Sequence, residues 1–297
     1  MTCTPLLGVR LIPPESELPV VITAPAPEAV IERPLNAEPI HPKPPLKWAG
    51  GKRWLVPHLK PFWEQHKHRR YVEPFCGGLA TPLGMQPRNA WLNDNNRHLI
   101  AFYQHVQNGL KIEIPLENDR DLFYRYREQF NQNVRDGRIH DKTTSELFYY
   151  LNRTCYNGLC RFNRKGEFNV PFGSYKRINY VLDFSDYREV MQPWHFTVSD
   201  FEMMVLEPDD FVYADPPYDV QFTQYSQYGF SWEDQVRLAH WLAKHPGPTI
   251  ISNQATERII TLYKRLGFEL KYYPAPRRIS CNGDRTPAIE VLALRNV

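Results

Sequence analysis

The 297-residue sequence lacks any apolar run close to the roughly 20 residues that a membrane-spanning helix requires. Residues Met1–Arg10 also lack the charged start and the following apolar stretch of a secretory signal. We therefore expect a soluble, unsecreted protein that resides in the cytoplasm and has no membrane partner.

Cysteine is scarce, with five residues in the chain, and no two of them form a CxxC pair. The histidines are not spaced in a way that would complete a zinc site with these cysteines. The scatter of the cysteines predicts a reducing compartment and argues against a structural metal. The five are Cys3, Cys76, Cys155, Cys160 and Cys281.

Aromatic residues are missing from residues 1–45, although the chain contains 16 Phe, 17 Tyr and 7 Trp. The same segment holds 11 of the 27 prolines. Such a composition cannot bury enough apolar surface to offset the entropy of ordering, so we predict a disordered, proline-rich tail over residues 1–45. Without the tail, the chain has 33 basic and 28 acidic residues. This excess is too small to identify a nucleic-acid partner by itself.

What the sequence does have, from Leu46 onward, is an alternation of short β-branched or aromatic runs with helical periods. This pattern is typical of an α/β fold with a mostly parallel sheet. Residues 105–200 interrupt it and are rich in Tyr, Phe, Arg and Asn, which predicts an inserted helical and hairpin subdomain. Strands are predicted at 70–72, 90–93, 211–214, 249–252, 268–273 and 288–294, and a capped helix is predicted to begin after Ser231.

The first predicted strand runs into the glycine turn Glu73-Pro74-Phe75-Cys76-Gly77-Gly78, and Asp94 follows the second strand. In doubly wound folds, glycines at such a turn let the backbone approach a cofactor, and an acidic residue about 20 positions on binds the ribose hydroxyls. A dinucleotide fingerprint GxGxxG is absent, and Gly50-Gly51-Lys52 lacks the other residues of a P-loop. A plain strand-to-helix turn therefore remains an alternative to a cofactor site.

The sequence Asp215-Pro216-Pro217-Tyr218, directly after an apolar strand, is more specific. Two successive prolines stiffen the backbone and remove two amide donors, so the Pro216 carbonyl is available to a ligand. With the Asp215 carboxylate it offers two acceptors, which suit the two N–H donors of an exocyclic amine. Tyr218 supplies a flat face on which a base can stack.

Taken together, these segments resemble the Dam-type, D12 class, α group of DNA adenine N6-methyltransferases. Lys47–Lys52 is similar to the opening motif of the family, Glu73–Gly78 to its cofactor turn, and Asp215–Tyr218 to its catalytic motif. Between the last two, residues 151–173 resemble the DNA-reading hairpin of the Dam branch. The motifs occur in the order of the family and cover most of the chain from Leu46 to about Leu294.

The resemblance implies a Rossmann-like methyltransferase fold, S-adenosylmethionine as methyl donor, no metal, and adenine N6 in double-stranded DNA as acceptor. It also implies that residues 46–104 and 201–297 form the catalytic domain and that residues 105–200 recognise DNA. One departure is Leu79, which stands where the family turn usually carries glycine. The implied catalytic residues are Asp215, Pro216, Pro217 and Tyr218, and the implied cofactor residues are Trp48, Lys52, Glu73, Phe75, Gly77, Asp94 and Asp215.

Residues 151–177 contain six basic side chains against one acidic one, interleaved with aromatics. This profile fits a hairpin that enters a DNA groove, although a solvated basic loop is the simpler reading. By resemblance, Arg161 reads a guanine, Leu159 and Pro171 contact thymine methyls, and the implied site is GATC. The implied DNA-binding residues are Lys47, Tyr156, Asn157, Leu159, Arg161 and Pro171. A second basic loop, residues 277–285, is similar to a late family motif beside the flipped base.

Two other functions stay open from the sequence. A glutamine side-chain methyltransferase uses a related loop, but that loop normally begins with Asn, where this chain has Asp215. A DNA-binding homologue with impaired catalysis is the other, and Leu79 is the feature that suggests it. The enzyme reading places the protein near the nucleoid of a bacterial or phage-infected cell and requires no obligate protein partner.

Overall fold

A computed structural model describes residues 41–219, 230–276 and 288–297. It confirms the predicted α/β fold, a seven-stranded sheet with helices on both faces. The strands are β1 (Tyr71–Glu73), β2 (Ala90–Asn93), β3 (Trp194–Thr197), β4 (Phe211–Ala214), β5 (Thr249–Gln254), β6 (Glu269–Ala275) and β7 (Ala288–Arg295). The helices are α1 (Val56–His66), α2 (Ala80–Met85), α3 (Arg97–Gln107), α4 (Arg120–Arg135), α5 (Lys142–Thr154), α6 (Ser185–Met191), α7 (Trp232–Ala243) and α8 (Glu257–Arg265). No helix in these three ranges is long and apolar enough to cross a membrane.

The strands lie in the order β3-β2-β1-β4-β5-β7-β6. The first five are parallel, and β7 inserts antiparallel between β5 and β6. The chain order reverses between β1 and β4, because β2 and β3 extend the sheet to one side and β4 begins the other. Ligands in open α/β sheets bind beyond the carboxyl ends of the strands at such a switch point. The topology therefore directs attention to the loops after β1, β2 and β4.

The sheet separates two hydrophobic clusters, and the two-residue period of its strands assigns side chains to them. In β4, Phe211 and Tyr213 join one cluster while Val212 and Ala214 join the other. β1, β5 and β7 divide in the same way. Both faces of the central strands are buried, which explains why they read as continuous apolar runs in the sequence.

Local sequence signals explain where several helices begin. The Ser231 hydroxyl accepts from the amide of Asp234, whose carboxylate accepts from the Ser231 amide, so the predicted capping box is present at α7. The Asn96 side chain accepts from the amides of His98 and Leu99 at the start of α3. Gly267, with φ of 80°, ends the helical segment after α8.

Two features differ from the sequence prediction. Strand β3 lies inside the segment 105–200 but pairs with β2 over Ala90↔Trp194 to Asn93↔Thr197, so this part of the segment belongs to the sheet. Contact with the folded part also begins before Leu46, since the Tyr187 hydroxyl donates to the Lys43 carbonyl at 2.6 Å and Pro45 is buried. The rest of the predicted tail, residues 1–40, and the predicted loop 277–285 lie outside the described residues.

Candidate active site

The loop Asp215–Tyr218 leaves the carboxyl end of β4, and each end of it is fixed by side-chain hydrogen bonds. The Asp215 carboxylate accepts from the Ser252 hydroxyl of β5 at 2.7 Å. The Pro217 carbonyl accepts from the Gln235 amide of α7 at 2.7 Å, and the Tyr218 hydroxyl donates to Glu290 of β7 at 2.7 Å. The loop is thus held from three elements, which is the rigidity that a positioning site needs.

Lys52 brings the opening motif to this loop. Its side chain is 6% exposed, and its Nζ lies 3.5 Å from Asp215 Oδ1 and 3.6 Å from Glu290 Oε1. The same ammonium donates to the Gly50 carbonyl at 3.1 Å and lies 4.3 Å from the centre of the Tyr218 ring. The structure therefore joins Lys52 to Asp215 and makes Lys52 the shared counter-ion of two carboxylates.

Burial and the Lys52 ammonium act in opposite directions on the pKa of Asp215 and on the pKa of Glu290. Burial raises the pKa of Asp215, and the Lys52 ammonium opposes the rise. The pKa of Glu290 is raised by burial as well, again opposed by Lys52 and by the Tyr218 hydrogen bond. Within this group of three described side chains, one ammonium faces two carboxylates, so the group carries a net negative charge when both carboxylates are ionised.

A second layer of buried polar side chains supports the loop. Asn253 donates to Gln235 at 2.9 Å and to the Tyr263 hydroxyl at 3.1 Å, and its oxygen accepts from the amide of Asp219. Asp219 pairs with Arg258, whose guanidinium lies 4.6 Å from the Trp232 ring. A single asparagine carries no motif, so sequence analysis does not select Asn253; its role follows from the residues that surround it in the structure.

The glycine turn after β1 lies against Trp48. A Cβ added at Gly77 would stand 2.8 Å from the Trp48 indole nitrogen, and one at Gly78 would stand 2.6 Å from Trp48 Cβ. Gly77 also has a φ of 43°, which disfavours other residues. The Gly77 amide donates to Asp94 Oδ2 at 3.1 Å, so Trp48, Gly77 and Asp94 form one contiguous group.

Leu79 completes this turn in an unexpected way. It adopts the left-handed conformation, with φ of 58° and ψ of 26°, and its side chain is fully buried. An L-residue pays about 1–2 kcal/mol for this conformation, which glycine adopts freely. The chain thus keeps the glycine-type backbone of the turn while replacing the glycine.

The loop after β2 is ordered by backbone amides. Asp94 accepts from the Asn96 amide at 3.0 Å as well as from Gly77, while burial raises its pKa against these bonds. The preceding Asn93 donates to the Pro74 and Ser199 carbonyls, which ties the ends of β1, β2 and β3 together. Asp94 is half-buried, so it retains access to a ligand.

Glu73 and Phe75 complete the set of implied cofactor residues. Glu73 is buried, accepts from the Tyr71 hydroxyl at 2.5 Å, and has its pKa raised by burial to about 8. It is therefore mostly protonated at neutral pH, and its interactions are with the protein interior. Phe75 is half-buried, with its ring 5.4 Å from that of Phe230 and 5.7 Å from that of Phe201.

Five of the six implied DNA-binding residues lie on one antiparallel segment, residues 155–172, which we call the hairpin arm; the sixth is Lys47. It is closed by the bridges Cys155↔Phe172 and Phe162↔Phe168. Tyr156, Asn157, Arg161 and Pro171 are exposed on it and Leu159 is half-buried. Asn157 has a φ of 54°, and Arg161 Nε donates to Asn169 Oδ1 at 3.0 Å.

Lys47 is half-buried and contacts residues on both sides of the hairpin arm. Its Nζ donates to the Arg153 carbonyl at 2.7 Å and lies 3.4 Å from the centre of the Tyr175 ring. Burial, together with the positive charge of Arg153, lowers its pKa to about 8. A Cβ at Gly158 would stand 2.3 Å from Lys47 Cβ, so the opening motif and the arm are closely packed.

The hairpin arm also rests on α3, which follows the Asp94 loop. The Asn96 amide nitrogen lies 3.5 Å from Cys160 Sγ, and the buried His98 ring stacks on Phe162 at 4.7 Å. His98 Nδ1 has no hydrogen-bond partner among the described residues. Burial lowers the pKa of His98 to about 4, so the ring is neutral at physiological pH.

Because the His98 imidazole is buried and neutral, we expect the folded protein to lose stability in acid. The unfolded chain binds its proton near pH 6.5 and the native chain only near pH 4, so the unfolded state binds more protons in this window and stability falls as the pH falls. The loss attributable to His98 is up to about 3 kcal/mol. Urea unfolding of the wild type and His98→Phe at pH 7 and pH 4.5 should show a smaller loss in the variant. Exposed His68→Phe should behave as wild type; an unchanged loss in His98→Phe would contradict the assignment.

Comparison with known proteins identifies the family. A family model described as D12 class N6 adenine-specific DNA methyltransferase matches residues 48–278. The match includes the opening tryptophan, the glycine turn, the Asp94 loop, the hairpin arm and the loop Asp215–Tyr218.

Three individual relatives match this chain over at least 90% of their own length. The DNA adenine methylase of Escherichia coli (strain K12) is 35% identical over 271 residues, which cover 84% of this chain and 94% of the relative. The type II methyltransferase M.MjaIII of Methanocaldococcus jannaschii is 31% identical over 277 residues, covering 82% and 94%. The retron Ec67 DNA adenine methylase of Escherichia coli is 32% identical over 267 residues, covering 84% and 90%. The chain therefore belongs to the D12 class of N6 adenine-specific DNA methyltransferases.

Proposed function

We propose that the protein transfers a methyl group from S-adenosylmethionine to N6 of an adenine flipped out of duplex DNA, within the sequence GATC. The observation that carries the proposal is the Asp215 carboxylate, held by Ser252 and Lys52 at the carboxyl end of β4 beside the switch point of the sheet. DNA adenine methylation is the activity of the family; the donor, the sequence GATC and the roles of single residues are the parts proposed here.

The residues around the switch point fit S-adenosylmethionine. Two glycines without Cβ atoms, a half-buried carboxylate at Asp94 and the indole of Trp48 form one contiguous group. The excess of carboxylate over ammonium at Asp215, Glu290 and Lys52 suits a cationic ligand. We assign the ribose hydroxyls to Asp94, and the remaining contacts to Trp48, Phe75 and Gly77. When bound, the donor supplies an electrophilic methyl group on a sulfonium.

The chain's own task is to make adenine N6 nucleophilic and to aim it. The N6 lone pair is delocalised into the ring, so the amine is a weak nucleophile. Hydrogen bonds from its two N–H groups to the Asp215 carboxylate and the Pro216 carbonyl localise the lone pair and fix its direction. In the transfer, N6 would use its lone pair to form the N–C bond to the methyl carbon, and the electron pair of the broken S–C bond would stay with the sulfur of the donor. N6 would then release one proton. Because burial raises the pKa of Asp215, this carboxylate is suited to accept that proton.

Tyr218 has two restraints that prepare it to hold the flipped base. Its hydroxyl is anchored on Glu290, and Lys52 lies over one face of its ring. A base would stack on the opposite face, in a site that a duplex reaches only by extruding the nucleotide.

The proposed function is tested by following the transfer of labelled methyl groups into GATC and scrambled duplexes. Label in GATC adenine supports the proposal; specific binding without label favours an impaired homologue, and label in a protein glutamine favours the rival enzyme.

Arg161 provides the test of sequence choice. We propose that its exposed guanidinium pairs with the O6 and N7 atoms of a guanine, a contact worth about 1–3 kcal/mol of discrimination. Arg161→Ala should therefore reduce the preference for GATC over scrambled DNA about 5- to 150-fold, with a smaller effect on total DNA affinity. Binding titrations on both duplexes measure this.

Lys165→Ala is the matched control, because Lys165 is exposed in the turn of the same hairpin arm. Its removal should weaken binding to both duplexes alike, as expected for a charge that acts on phosphates. If Arg161→Ala behaved in the same way as this control, the guanine contact would be wrong.

A further inference from the structure

We infer that Glu290 is a positioning residue for methyl transfer, one that holds Tyr218 and Lys52 in register with Asp215. The inference rests on the proposed function, because it concerns the geometry in which the amine meets the methyl group. Glu290 belongs to none of the motifs Lys47–Lys52, Glu73–Gly78 and Asp215–Tyr218, and no sequence pattern points to it.

The contacts of Glu290 divide between its two oxygens. One oxygen, Oε2, accepts the hydrogen bond of the Tyr218 hydroxyl at 2.7 Å. The other, Oε1, lies 3.6 Å from Lys52 Nζ, which itself lies 3.5 Å from Asp215 Oδ1. A single carboxylate thus fixes the ring on which the base stacks and the cation that faces the proposed catalytic carboxylate.

The position of Glu290 in the sheet makes it a costly residue for a purely structural purpose. It lies on β7, between Gln254 of β5 and Tyr273 of β6, and is 7% exposed. The next four residues of the strand, Val291 to Leu294, are buried and apolar. A buried ion pair contributes little net stability compared with apolar packing, so stability alone does not account for a carboxylate here. The contacts with Tyr218 and Lys52 do account for it.

Loss of the Glu290 charge would act on two neighbours at once. Lys52 would keep Asp215 as its remaining counter-ion and would be free to move toward it, into the space that the amine needs. Tyr218 would keep an acceptor in a glutamine but lose the charge-assisted bond. Both changes disturb alignment in the reacting complex more than they disturb the binding of DNA, which the hairpin arm provides.

The test compares Glu290→Gln with the wild type at saturating donor and GATC duplex. We expect kcat to fall about 10- to 100-fold, because a misplacement of about 1 Å at a reacting group can cost about 10²-fold in rate. KM for DNA should stay within about 2-fold, and the midpoint of thermal unfolding should change little, because Lys52 keeps Asp215 as a partner. Glu269→Gln, an exposed acid on the adjacent strand β6, is the matched control and should leave kcat unchanged.

A double-mutant cycle with Tyr218→Phe separates positioning through Tyr218 from a general effect on the fold. We expect the two substitutions together to cost less than the product of their single effects, because Glu290→Gln weakens and Tyr218→Phe removes the same hydrogen bond. Wild-type kcat in Glu290→Gln, or a loss of kcat that follows only a loss of folded protein, would overturn the inference while leaving the proposed function intact. Absence of methyl transfer by the wild-type protein would overturn both.

Discussion

Replacing Asp215 with alanine is expected to lower the rate of methyl transfer by at least about 1000-fold while leaving affinity for GATC duplex largely unchanged. The carboxylate is proposed both to orient N6 and to stabilise the charge that develops on it, and loss of one such group costs about 10²–10³ in rate even when it serves one purpose. DNA affinity should survive because the hairpin arm lies on other elements.

The experiment compares single-turnover methylation with duplex binding in the same preparation. The fold should persist, because Lys52 retains Glu290 as a partner when Asp215 is removed. Asp209→Ala is the control, since this exposed carboxylate precedes β4 at the opposite end of the strand. Near-normal turnover in Asp215→Ala would refute the catalytic assignment, whatever the control shows.

Replacing Lys52 with methionine is expected to lower the free energy of unfolding by about 3–5 kcal/mol, the usual cost of leaving a buried charge without its partner. Asp215 and Glu290 would then lose the cation that they share among the described residues, and the pKa of each carboxylate would rise further. When the pKa of a carboxylate is higher in the folded state than in the unfolded state, the protein loses stability as the pH rises toward the pKa of the folded state. The loss should therefore be larger at pH 8 than at pH 5, where protonation relieves the repulsion.

Urea unfolding of Lys52→Met at these two pH values measures the effect, and methylation assays should show inactivity at both. Lys60→Met is the matched control, because Lys60 is exposed on α1 and belongs to the same part of the chain. An equal loss of stability at both pH values would mean that the ammonium contributes packing alone, and would remove the counter-ion role from Lys52.

Much of the sheet was accessible from the sequence because its central strands are buried on both faces. Four consecutive apolar residues at Phe211–Ala214, followed by Asp215 and two prolines, predict both the strand and the point where it ends. Strand β3 was missed because Trp194–Thr197 alternates buried and more exposed side chains over only four residues. Its identity as a strand depends on pairing with β2, which is distant in the sequence.

The site residues also fall into two groups, those with a local sequence signal and those without one. Residues that belong to contiguous motifs, such as Lys52, Gly77 and Asp215, can be selected from the sequence, and each contacts a residue of another predicted site segment. Glu290 and Ser252 carry no local signal, since one is a lone acid before an apolar run and the other a lone hydroxyl within a strand. Ser252 reaches Asp215 because β5 lies beside β4, and Glu290 reaches Lys52 and Tyr218 because β7 lies beside β5. A tertiary structure reveals these neighbours and a sequence pattern does not.

The conformation of Leu79 restricts what can replace it. Glycine would relieve the strained backbone but would empty a fully buried position, and deletions of that size cost about 2–5 kcal/mol. Valine or isoleucine would restore most of the volume, yet their branched Cβ atoms resist a φ of 58°. No single substitution satisfies the backbone and the cavity together. The start of α2 is thus a local optimum in mutational space, one that the chain could leave only through a second, compensating change in the residues that pack around it.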